Sequence, residues 1–204
     1  MSNSHGMIQL PKTQKDLFGN KAATRRIDKA AAALRVHDKD TFANRLARYK
    51  LLESLAPHGY SALGAFEPLF VFEEARLCFL NGAFIATVVL CQAFIEHWLT
   101  GYASRGGDDQ ELPRTLDGML KYCRREGLLH DYLIDRIDQL RAKRNPFTHR
   151  KDMDHPLLLW RRAMALQATP AELLEQDAKD AVSLAHTIMF SPHGFLFPLG
   201  ETLP

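Results

Sequence analysis

Gly82-Ala83-Phe84-Ile85-Ala86-Thr87-Val88-Val89-Leu90-Cys91-Gln92-Ala93-Phe94-Ile95-Glu96-His97-Trp98-Leu99-Thr100-Gly101-Tyr102 decides the fold class. Set at about 100° per residue, its apolar side chains point in every direction. Phe84, Val88, Ile95 and Leu99 fall on one side, and Leu90, Phe94 and Trp98 on the other. A helix that is apolar all round has to be enclosed by other elements. The purely apolar part, Gly82 to Ile95, is shorter than the roughly twenty residues a bilayer span needs and runs into Glu96 and His97. It therefore reads as the central helix of a folded bundle, over about Ala83 to Tyr102. Glu96 falls among Ile85, Val89 and Leu99, so its carboxylate needs a partner or a water-filled pocket. His97, beside Trp98, reads as a packed histidine rather than a ligand.

Helices are expected on both sides of this segment. Upstream, Glu67 to Leu80 closes at Asn81-Gly82, a helix C-terminal signal, which makes the centre a helical hairpin. Lys21 to Leu55 is rich in Ala, Leu, Lys and Arg and suits one or two amphipathic helices, with Asp40-Thr41 as a start for the second. Pro57, Gly59 and Gly64 mark a loop. Downstream of the polar loop Arg105 to Pro113, a helix from Thr115 to Glu126 is stopped by Gly127, and another runs from Leu128 to Arg144. The last helix starts at Thr169-Pro170-Ala171-Glu172, a capping-box spacing with proline in the first turn, and runs to about Phe190. With no strand alternation and no repeat, the chain reads as all-α. Residues 1–20 form a flexible N-terminal tail, 21–64 a helical extension and loop, 65–190 a helical bundle, and 191–204 an apolar C-terminal tail. Phe195, Leu196 and Phe197 in that tail should dock rather than stay in solvent.

Composition sets loose bounds. The chain has 204 residues, 46% of them hydrophobic and 25% charged, with a formal net charge of +2. That is enough chain for a substantial core and too little charge to argue for nucleic acid by itself. Cys78, Cys91 and Cys123 lack metal-knuckle spacing and read as small packed hydrophobes. Their odd number, with no secretion signal ahead of them, leads to the expectation of reduced thiols and a cytoplasmic location. No zinc, P-loop or dinucleotide signature is present, so neither a metal nor another cofactor is expected.

The segment with chemical content is the end of the Leu128–Arg144 helix. With Leu129 set at zero, Leu140, Leu133 and Ile137 project at about 20°, 40° and 80°, and Arg144 falls among them at about 60°. An arginine cannot shed its charge, so on a packing face it should meet a carboxylate, a phosphate or a subunit seam. Pro146 disfavours helical geometry at Asn145, so the helix is expected to end or kink there and turn His149 back towards Arg144. Between Lys121 and Lys151 there are nine Lys or Arg against four Asp or Glu. From Arg141 to Lys151 there are five against none. Such a cluster is usually a solvated face, but Arg141, Lys143, Arg150 and Lys151 would also gather phosphates. Arg161 and Arg162, beside Trp160, extend the cluster.

Arg144-Asn145-(three residues)-His149 resembles the RNxxxH motif of HEPN domains. The resemblance extends upstream over Phe72-Glu73-Glu74-Ala75-Arg76, Asn81-Gly82-Ala83-Phe84 and Phe94-Ile95-Glu96, which look like that family's hairpin with its inward glutamate. It covers about residues 67–190. Bare spacing carries no weight, since Arg125/His130 and Arg150/His155 share it. Only Arg144 is followed by Asn, ends a periodic helix and lies on its apolar face.

The resemblance implies an up-and-down HEPN bundle with extra N-terminal helices, acting as a metal-independent endoribonuclease. The site would hold Arg144, Asn145 and His149, with Glu96 in support as the first expected partner of Arg144. It also implies RNA as substrate, a homodimer with the motifs near its axis, an antitoxin or other regulatory protein as partner, and a toxin–antitoxin or phage-defence setting. RNA carries its own nucleophile, the 2′-hydroxyl. A histidine can then move the protons, and a forked guanidinium can stabilise the phosphorane. Plainer roles stay open: Arg144 as a structural tie to Glu96, and His149 as a helix cap. The alternative for the whole chain is a non-catalytic module that binds RNA or nucleotide or serves as a dimerisation scaffold. A DNA-binding regulator is disfavoured, because no recognition helix stands out.

Overall fold

The computed structural model describes residues 21–56, 60–62, 66–104, 112–190 and 196–198. Within them lie seven α-helices: α1 Lys21–Leu55, α2 Phe66–Leu80, α3 Phe84–Ala103, α4 Leu116–Arg125, α5 Asp131–Thr148, α6 Leu159–Leu166 and α7 Pro170–Met189. The one departure from the all-α expectation is a ribbon of two three-residue strands, β1 Tyr60–Ala62 and β2 Leu196–Pro198. They pair antiparallel, Ser61 opposite Phe197, so residues 196–198 of the expected tail are held through their backbone, while Phe195 lies outside the described residues. The expected N-terminal tail, residues 1–20, lies outside the described residues.

The chain divides into two compact units, residues 1–44 and 45–204. In the first, α1 runs unbroken through Asp40-Thr41, where a new helix was expected. The Thr41 hydroxyl donates to the His37 carbonyl one turn back, at 2.9 Å, and so does not act as a cap. Residues 28–40 are exposed throughout. In the second unit Leu52 is buried in the core, so the bundle takes in the last turns of a segment expected to be an extension.

The bundle is organised around α3, which packs against α2, α4, α5 and α7. Val88, Cys91, Phe94, Ile95, Trp98 and Leu99 are enclosed, as apolarity in every direction requires. α3 is also the one described helix long and apolar enough to cross a membrane. The hairpin turn needs Gly82, whose φ of 79° suits glycine. Arg48 closes over this turn, 4.8 Å above the Phe84 ring and 3.5 Å from the Glu175 carboxylate. Cys91 and Cys123 are free and buried, and burial raises both thiols, Cys123 to about 11.

Two helix starts follow their local signals. Thr115 accepts from the Gly118 amide at 3.2 Å, and Thr169 and Glu172 form a reciprocal capping box. On α7 the buried face runs through Leu173, Asp177, Ala181 and Leu184, and His186 is also enclosed. The His186 ring stands 4.8 Å from that of Phe72, and its Nδ1–H donates to the Val182 carbonyl at 2.8 Å.

Burial holds the His186 pKa down to about 4 from 6.5. Folded His186 therefore resists the proton that the unfolded chain accepts, and stability is lost as pH falls from 6.5 to about 4. At about 1.4 kcal/mol per pH unit, full titration would cost about 3 kcal/mol. Urea unfolding at pH 7 and at pH 4.5 should show a smaller loss for His186→Phe than for the unaltered protein. Equal losses would mean that His186 is not the sensitive group.

Candidate functional site

α5 sets the geometry of the Arg144–His149 segment. Its buried stripe is Ile134, Ile137 and Leu140, and half-buried Arg144 extends that stripe to the helix end. The helix differs from expectation at both ends. It starts at Asp131 because the His130 Nδ1 caps it, accepting from the Tyr132 amide at 3.2 Å. It also runs through Pro146 to Thr148. Proline removes the donor to the Ala142 carbonyl. The Asn145 carbonyl nevertheless accepts from the His149 amide at 2.9 Å and the Thr148 hydroxyl at 3.4 Å, and these close the last turn.

The chain leaves the helix at His149, which is extended at φ −134° and ψ 130°. This matters for the motif. Residues five apart on a continuing helix point about 140° away from each other. Because His149 has left the helix, its ring turns back, and its Nε2 lies 3.4 Å from Arg144 Nη1. A guanidinium can only donate, so a hydrogen bond here needs the His149 Nε2 as its acceptor.

No carboxylate lies within ion-pair distance of Arg144 among the described residues, and its buried Nε has no hydrogen-bond partner there. The expected Glu96–Arg144 pair is not formed. Half-buried Glu96 instead accepts from the buried Gln92 amide at 2.6 Å. It opens into a cleft of about 310 Å³ with His97, Thr100, Arg114 and Met119. His97 is exposed there and not packed, because it falls on the cleft side of α3 while Trp98 turns inward. The all-round apolar reading of α3 thus missed a narrow polar edge.

The basic residues separate by their partners. Arg141 is taken by Asp138 at 2.7 Å and Asp117 at 3.6 Å. Lys143 is taken by Asp177 at 2.9 Å and Asp180 at 3.1 Å. Burial opposes the charge on Lys143, but its bonds to the two aspartates outweigh that and raise its pKa. Both residues are thus held by carboxylates, where local charge alone suggested phosphate ligands. Exposed Arg150 and half-buried Lys151 have no ion pair among the described residues. Arg162 is likewise spent, donating to both oxygens of Asp177 at 2.6 and 2.8 Å. Asp177 is 1% exposed and joins α5, α6 and α7. The wheel test that singled out Arg144 would have found it, one turn after Leu173 and one turn before Ala181 on a buried face.

No family model, curated protein or solved structure matches the chain.

Proposed function

We propose that the chain is a metal-independent endoribonuclease of HEPN type, with Arg144, Asn145 and His149 at its site. One observation carries this reading. Arg144 and His149 meet at an accessible helix end, and no described carboxylate neutralises the guanidinium. In the proposed step the His149 Nε2 lone pair takes the 2′-hydroxyl proton. The 2′-oxygen then attacks phosphorus, and the 5′-oxygen leaves with a proton from an acid. Arg144 offsets the charge growing on the phosphorane oxygens. The Asn145 side chain, with no hydrogen-bond partner among the described residues, is available to orient the phosphate.

A second His149 in a symmetric homodimer would supply the acid. An antitoxin or other regulatory partner, and a defence setting, rest on the motif's resemblance alone. Arg144, Arg150 and Lys151 have no ion pair among the described residues and would gather phosphates with or without chemistry, which favours a second reading, a non-catalytic RNA-binding or scaffold module.

The test is product chemistry. Single-stranded RNA should be cut in excess EDTA, leaving 2′,3′-cyclic or 3′-phosphate ends, while DNA of the same sequence stays intact. Binding without cleavage across several RNAs would favour the second reading.

A further inference from the structure

α6 carries an exposed aromatic surface beside the motif. Trp160 is 42% exposed, and Met153 and Met164 are 75% and 72% exposed. The Arg161 guanidinium lies 4.9 Å from the centre of the Trp160 ring. It is fixed there by its Nε donating to the Met153 carbonyl at 3.0 Å. The guanidinium thus lies over one face of the partly exposed indole, which makes the pair cationic.

Two connections hold this surface near Arg144 and His149. Met153 follows His149 by four positions, so their Cα atoms are no more than about 14 Å apart. On the inner side of α6, Arg162 and Lys143 share the buried Asp177 carboxylate. Lys143 precedes Arg144, and Arg162 follows Trp160 by two residues, so one buried carboxylate holds both the motif end and the aromatic surface.

We propose that Trp160, with Arg161 stacked on it, is a platform for an unpaired nucleobase of the strand whose phosphate lies at Arg144–His149. This rests on the ribonuclease reading of that site. Bases stack on aromatic rings and guanidinium planes when they are splayed out of a single strand, and Arg150 and Lys151 on the connecting segment suit its phosphates. A buried or fully paired base would not reach the ring, so the substrate class is single-stranded or looped RNA.

The chain provides its own reporter. It has two tryptophans, and Trp98 is 1% exposed in the core, so a ligand-dependent change in indole emission reports Trp160. The probe is a short single-stranded 2′-O-methyl oligoribonucleotide, which lacks the attacking hydroxyl and cannot be cut. An abasic strand of equal length is the comparison.

The base-bearing strand should quench the emission as it saturates, and the abasic strand should not. Trp160→Ala should weaken the base-bearing strand at least about fivefold. It should leave the abasic strand and the salt dependence unchanged, because no charge is removed. Trp160→Phe should retain most of the affinity.

The platform is overturned by unchanged emission at saturation, or by equal weakening of both strands in Trp160→Ala. It is also overturned if Trp160→Ala changes only the mass in light scattering, which would assign the surface to self-association. Quenching without any cleavage of ordinary RNA would sink the nuclease reading and leave the platform. Cleavage with Trp160→Ala binding unchanged would do the reverse. Failure of the unaltered protein to bind either strand sinks both.

Discussion

Asp177→Ala is expected to destabilise the bundle by about 3–5 kcal/mol, because it leaves two cations facing each other without their shared carboxylate. Arg162 and Lys143 have side chains only 13% and 29% exposed, so water cannot fully replace what they lose. The loss should appear as a melting temperature lower by roughly 10 °C for a chain of this size. Adding Arg162→Ala to Asp177→Ala should cost much less than the sum of the single changes, since the second removes a charge that the first stranded. Replacing all three by apolar residues of similar size should recover much of the loss. Additive effects in calorimetry would mean that the three groups do not act as a unit.

This network also shows where reading the sequence reached its limit. Counting charge from Arg141 to Lys151 found five bases and no acid, and that count is correct as a statement about neighbours in the chain. The neutralising carboxylates come from Asp138, one turn before Arg141 and just outside that count, and from Asp117 on α4 and Asp177 and Asp180 on α7, which only the packing of α5 brings close. Pro146 misled for a related reason. The rule that proline ends a helix weighs one lost bond and one steric preference, and here the remaining bonds onto Asn145 hold the turn for three more residues. Thr41 failed as a start signal because a threonine hydroxyl inside a helix can bond the carbonyl one turn back as readily as it caps.

Two other local signals were read correctly. The Thr169–Glu172 capping box and the Thr115 cap involve groups within three residues of each other. The burial of Val88, Phe94, Ile95, Trp98 and Leu99 on α3 follows from apolar residues on opposite sides of one helix, although the edge with Glu96, His97 and Thr100 stays open. The Arg144–His149 contact was legible in part. The apolar stripe pointed to Arg144, and an exit from the helix was needed to return His149, but the exit comes at His149 itself and not before Pro146.

Substitutions at this contact should have the largest effects on activity. His149→Ala is expected to slow RNA cleavage by about 10²–10⁴-fold, the usual worth of a positioned proton-transfer group. It should leave RNA affinity nearly unchanged, because one imidazole contributes little to holding phosphate beside the guanidinium of Arg144. Arg144→Ala should reduce the rate by roughly 10²–10³-fold and also weaken binding, since a guanidinium serves the ground-state phosphate as well as the transition state. Single-turnover rates and anisotropy titrations on the same RNA separate the two effects. Arg150→Ala should lower only affinity and reduce the salt slope by about 1. Lys143→Ala should behave differently, losing thermal stability through Asp177 before it changes any salt slope. If the rate survives His149→Ala, the reacting groups are not these. If Lys143→Ala mimics Arg150→Ala, the Lys143–Asp177 pair is too weak to keep this lysine from phosphate.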